Sequence, residues 1–179
     1  MQVKKKSQKQ ERSVAKEIGG KTVVASGAKW FADSDVRSDK FLVECKTTSK
    51  DYFSITTALW EKILKEATKD HGRIPLMVID LNHDSVHEGK RFVVFSAYAF
   101  DEVPSPHDCT YIGQNMDGGD PKSFRLHISE LEELSEECEM EIKGRLFNIH
   151  ATSINKVRHL LFYTTMEEFK RFYKKELEE

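Results

Sequence analysis

The chain has 179 residues, 39% hydrophobic and 32% charged, with 28 Lys plus Arg against 30 Asp plus Glu and a formal net charge of −2. That apolar fraction excludes a disordered chain, and no apolar run approaches the roughly 18 residues of a membrane-spanning helix. Three widely spaced cysteines, Cys45, Cys109 and Cys138, exclude a disulfide framework and a CxxC zinc site, so a reduced intracellular protein is expected.

In chain order, the charged start from Met1 to Arg12 holds no apolar segment, and no secretory signal is expected. Ser7 and Gln10 have capping-box spacing, which predicts a helix from about Ser7 to Ile18 ended by Gly19–Gly20, with the lysines before it as a basic tail. Lys21 to Ser26 reads as a short strand, and the polar stretch from Gly27 to Lys40 as a loop or hairpin connection. Phe41 to Lys46 reads as a strand. Ser54 to Asp70 reads as a helix, with Leu59, Trp60, Ile63, Leu64 and Ala67 on one face and Gly72 after its end. Pro75 to Leu81 is nearly all apolar, as in a strand buried on both faces, and Arg91 to Phe100 reads as another strand.

From Asp101 the pattern changes, with Pro104, Pro106 and Gly118–Gly119 breaking the chain. A strand is expected over Ser123 to Ile128, an acidic helix over Ser129 to Cys138, and a strand near Ile142 to His150. A final helix follows Thr165, capped through the Thr165–Glu168 spacing. The expected class is α/β, a mixed central sheet flanked by helices over residues 1–100. Residues 101–179 form an α+β extension of that core or a small subdomain.

Charge divides with the pattern. Residues 1–100 carry 18 basic and 13 acidic side chains, and residues 101–179 carry 10 and 17. A basic half beginning with Lys4, Lys5, Lys6, Lys9 and Arg12 points to a polyanion partner, or to a solvated tail. The acidic cluster between Glu130 and Glu141 fits a solvated helix face, or one that keeps DNA off that side.

The stretch Ser34 to Lys46 (SDVRSDKFLVECK) carries the chemistry. Along a strand, Leu42, Glu44 and Lys46 share one face and Phe41, Val43 and Cys45 the other. A charged pair on so apolar a strand is costly unless the charges meet each other or an ion. A hairpin return brings Asp35 beside Glu44. Two carboxylates, the backbone carbonyl of Cys45 and a lysine suit a hard divalent cation such as Mg2+, with Mn2+ as a substitute. Such an ion and lysine are what phosphodiester hydrolysis needs. The same pattern also fits the solvated face of an edge strand. His83, His87 and Glu88 read as a surface turn rather than a metal site.

The order of these features resembles the PD-(D/E)XK nuclease superfamily, and within it the archaeal and phage Holliday junction resolvases. The resemblance covers about residues 7–100. It rests on a helix carrying Glu11, then Val23–Val24–Ala25–Ser26–Gly27, Ser34–Asp35–Val36 and Phe41 to Thr48 (FLVECKTT), then a helix after Ser54 and a buried strand from Pro75. It implies a restriction-endonuclease-like core in which Glu11, Asp35 and Glu44 ligate the metal and Lys46 is the catalytic lysine. Ser26 falls at the active-site edge with an implied phosphate contact. Ser34 stands where the signature has proline, and Trp60, Glu61 and Lys62 stand where many relatives carry a glutamine. Glu17 competes with Glu11, and Asp33 and Asp39 with Asp35. Glu11 is favoured because it precedes Val14, Ala15 and Ile18 as in relatives, and Asp35 because Val36 follows it.

The expected activity is therefore an Mg2+-dependent endodeoxyribonuclease that resolves four-way DNA junctions by paired nicks. A homodimer would supply two active sites. DNA contacts are expected from Lys4, Lys5, Lys6, Lys9, Arg12, Ser26, Lys29 and Arg37, while Trp30 and Phe31 fit either base stacking or a loop tucked under by its own aromatics. The alternatives are a restriction, repair or nicking nuclease on the same core, and a non-catalytic DNA- or protein-binding module.

Overall fold

A computed structural model describes residues 2–23, 34–81, 90–96, 123–129, 139–142, 145–154 and 159–177. Ser26, Lys29, Trp30, Phe31, Asp33, His83, His87, Glu88 and most of the expected acidic helix lie outside the described residues, as do the side chains of Lys4 and Lys5.

The first helix, α1, runs Gln2–Glu17. It begins five residues before the expected cap, because the Lys and Gln residues ahead of Ser7 are themselves good helix formers. The stretch expected to be a basic tail is therefore helical. The Ser7–Gln10 capping box does not form. Ser7 Oγ instead donates to the Glu11 carboxylate across one turn, at 2.9 Å. The helix ends at Gly19, whose φ of 65° belongs to the left-handed region, and the Gly20 N–H returns to the Ala15 carbonyl at 2.7 Å. Gly20 packs tightly on the chain beyond: a Cβ there would sit 2.7 Å from the Arg37 carbonyl oxygen.

Two short strands follow, β1 (Lys21–Thr22) and β2 (Val36–Arg37), the latter inside the stretch read as a connection. Then come β3 (Phe41–Thr47), β4 (Tyr52–Thr56), α2 (Thr57–Lys69), β5 (Ile74–Leu81) and β6 (Lys90–Ser96). Helix α2 starts later than expected. Tyr52–Thr56 is aromatic and β-branched and pairs as a strand, and Thr56 becomes the cap, accepting from the Leu59 N–H at 3.2 Å. The later elements are β7 (Ser123–His127), β8 (Glu139–Ile142), β9 (Arg145–Asn148), β10 (His150–Ile154), β11 (His159–Thr165) and α3 (Met166–Leu177). The single strand expected over Ile142–His150 is thus the β8–β9 hairpin and the start of β10. Thr165 caps α3 as its spacing predicts, accepting from the Glu168 N–H at 3.2 Å.

The architecture is mixed α/β, a central mixed sheet flanked by helices. Seven strands lie in the order β1-β2-β3-β5-β6-β11-β10, and β3 with β5 is the parallel pair. A parallel pair requires a crossover, here made by β4 and α2. Side-chain alternation sends each strand's residues to two cores. Val43, Cys45, Leu76, Val78, Val93, Phe95, Leu160 and Phe162 meet α1 and α3. Met77, Ile79, Phe92, Val94, Leu161 and Tyr163 meet α2 and the β4–β7 ribbon. Both cores draw on residues from either side of position 100: β10 and β11 complete the first hundred residues' sheet, and α3 packs on it.

Candidate functional site

Strand β3 is flanked by β2 and β5, and five of its seven residues are buried, Glu44 among them at 6% exposure. A carboxylate at that depth demands compensation. Lys46, two residues on and on the same face, forms an ion pair with Glu44 Oε1. The other oxygen, Oε2, is buried with no hydrogen-bond partner. On the opposite face Cys45 joins the core packed by α1, where burial pushes its thiol pKa up and leaves it an inert apolar filler.

Asp35 arrives from the residue before β2. The register that sets Val36 opposite Val43 turns its carboxylate onto the main chain of β3, where Oδ2 accepts from the Cys45 N–H at 2.7 Å. Its own N–H donates to the Val43 carbonyl at 3.1 Å. Its pKa rises from 3.8 to about 6. Burial is the largest cause, the Cys45 N–H opposes it, and the neighbouring Glu44 and Glu11 carboxylates push it further up. Asp35, Glu44, Lys46 and Glu11 therefore share one electrostatic neighbourhood. Among the described residues no group of three or more His, Cys, Asp or Glu is gathered at metal-ligating distance.

Of the rivals, the two among the described residues, Glu17 and Asp39, go elsewhere. Glu17 contacts Arg91 and lies 4.0 Å from Lys170, on the α3 side of α1. Asp39 is exposed. Arg37 is drawn to Asp70 at 2.9 Å, and Arg73 reaches the same carboxylate at 2.8 Å. Lys9 and Arg12 are exposed on α1.

No family model and no curated protein sequence matches this chain. One solved structure similar to part of it is Hjc, a Holliday junction resolvase from the archaeal hyperthermophile Archaeoglobus fulgidus. The identity is 16% and the TM-score 0.34, over 45% of this chain and 70% of that one.

Two supports for the site escaped the sequence reading. Gln10 is 4% exposed, and its amide donates to the carbonyls of Lys46 at 2.8 Å and Val78 at 3.3 Å, pinning α1 across β3 and β5 beside the site. Its signal was a polar residue one turn before Val14 on the buried face. Arg91 grips Asp80 through two parallel hydrogen bonds, at 2.7 and 2.8 Å, and donates to Ser13 at 3.0 Å. This second clamp ties α1 to β5 and β6. Gln10→Leu leaves the two carbonyls without that donor and should cost about 1–3 kcal/mol in a urea titration. It should also lower any activity of the site more than an equal destabilisation from a remote core substitution.

The sign of the pH effect follows from Asp35. A folded-state pKa raised above 3.8 means that the native metal-free protein binds more protons than the unfolded chain between about pH 4 and pH 6. Stability from this group is full below about pH 4 and is lost as pH rises through 6. Thermal melts of metal-free protein should therefore show Asp35→Asn gaining on the parent between pH 4 and pH 8.

Proposed function

We propose that the protein is a metal-dependent endodeoxyribonuclease that cuts four-way junctions by paired nicks. The supporting observation is the convergence of Asp35, from the residue before β2, with the Glu44–Lys46 pair on the largely buried strand β3. The donor set fits a hard dication. Glu44 holds a buried carboxylate oxygen with no partner, and burial with neighbouring carboxylates raises the Asp35 pKa to about 6, which are the features a bound cation would relieve. Asp35, Glu44 and the Cys45 carbonyl would hold Mg2+ or Mn2+, with Glu11 supplying further negative charge. When bound, such an ion lowers the pKa of a coordinated water and draws charge from a phosphate oxygen.

The chain's own residues do the rest. Lys46, held by Glu44, places an ammonium where negative charge builds on phosphorus, or orients the attacking water. Asp35 must lose its proton to act as a ligand. Lys9 and Arg12, exposed on α1, attract the DNA backbone, so binding weakens with salt. A two-fold homodimer supplies two such sites to opposing strands.

The test is cleavage of a four-way junction, a flap and a linear duplex by purified protein with Mg2+ or Mn2+. Symmetric nicks confined to the junction are expected. Cleavage of the flap or duplex instead makes it a repair or restriction type of nuclease. No cleavage of any substrate with either ion overturns the reading.

A further inference from the structure

The ribbon formed by β4 and β7 lies on the side of the sheet toward which Glu44 and Lys46 project. Its inner face, Phe53, Ile55, Phe124 and Leu126, packs on α2 and the sheet. Its outer face alternates the other way. Tyr52 stands opposite His127, Ser54 opposite Arg125 and Thr56 opposite Ser123. On this face two cations share one aromatic ring: the Arg125 guanidinium carbon lies 4.7 Å from the Tyr52 centroid and Lys50 Nζ lies 5.2 Å from it. The two charges are thus within about a Debye length of each other. Among the described residues no carboxylate ion-pairs with either one. The nearby Asp51 is engaged by His127 at 3.2 Å. Like charges held this close repel, and an anion docking over them removes that cost.

We propose that this outer face docks a nucleic-acid strand, with Lys50 and Arg125 on its phosphates and Tyr52 against a base or sugar. The inference rests on the nuclease reading and extends it to the strand beyond the cut. Phosphate is the anion that arrives with flat rings attached, and an aromatic ring flanked by cations is the surface that receives both. The position agrees. Lys50 follows Lys46 by four residues, so their Cα atoms lie at most about 14 Å apart. A phosphate on this face and one at Lys46 then fall within a few nucleotides of a single strand. Arg125 comes from the second half of the chain, which gives the long excursion between β6 and β11 a role at the substrate.

The experiment is fluorescence anisotropy in EDTA, where cleavage cannot occur, with labelled duplex, four-way junction and single-stranded DNA. The K50A/R125A double variant should bind duplex at least about tenfold more weakly at physiological salt. Its slope of log K against log salt should flatten by about 1.8, or about 0.9 per lost phosphate contact. Tyr52→Leu should lose about tenfold on single-stranded DNA. Far-UV circular dichroism checks that the variants fold. On unaltered protein, photocrosslinking of bromouracil-substituted DNA should map to peptides covering 50–56 or 123–127. Unchanged affinity and slope in the double variant, crosslinks only elsewhere, or polyglutamate competing as well as DNA charge for charge would each overturn the proposal. Parent protein that binds DNA through this face yet never cuts it sinks the nuclease reading alone. Parent protein that cuts while the double variant binds normally sinks the docking face alone.

Discussion

Glu44→Ala and Asp35→Asn should each lower Mg2+-dependent cleavage of a four-way junction by at least about 10³-fold, with junction binding in EDTA retained. The magnitude follows from a metal's worth to phosphoryl chemistry, several kcal/mol of transition-state stabilisation at about 1.4 kcal/mol per tenfold. The two changes should act differently on stability. Glu44→Ala removes Lys46's ion-pair partner and opens space in a buried strand, so it should destabilise as well as inactivate. Asp35→Asn removes a carboxylate that burial already disfavours, so it should inactivate without destabilising at pH 8. Single-turnover cleavage and thermal melts on the same preparations check both halves. Full activity in either variant removes that residue from the site.

Phe169→Ala should cost about 3–5 kcal/mol in urea unfolding, a large part of the 5–15 kcal/mol that holds a typical domain together. Phe169 is fully buried on α3. Its ring centroid lies 5.6 Å from that of Phe41 on β3 and 5.5 Å from that of Phe95 on β6. Phe95 in turn meets Phe162 at 5.8 Å and Phe172 at 6.1 Å. One truncation therefore leaves a cavity where α3, β3, β6 and β11 converge. A loss below 1 kcal/mol would mean that α3 is a detachable appendage rather than part of the core.

Elements with a local signature could be read from the chain. The strands β3 and β5 announce themselves by apolar runs, and α2 by Leu59, Trp60, Ile63 and Ala67 at helical spacing. The closeness of Glu44 to Lys46 follows from strand alternation, and the return of Asp35 to β3 from the shortness of the connection. What the sequence concealed depends on distant partners. Ser54–Thr56 looks like the start of a helix until β7, some seventy residues on, pairs with it. β10 and β11 are short segments placed only by pairing, β11 beside β6 and the largely polar β10 beside β11. Gln10 looks like half of a helix cap because its true acceptors, the carbonyls of Lys46 and Val78, lie 36 and 68 residues away.

The tight seat of Gly20 against Arg37 reaches further than the end of a helix. Asp35 lies two residues before Arg37, and its carbonyl accepts from the Val23 N–H at 2.9 Å, so the same few residues carry both the glycine's neighbour and the half-buried acid. Any side chain at position 20 would have to shove that segment outward, and the carboxyl group would travel with it. Position 20 is thereby closed to every residue with a Cβ unless the segment that carries Asp35 gives way.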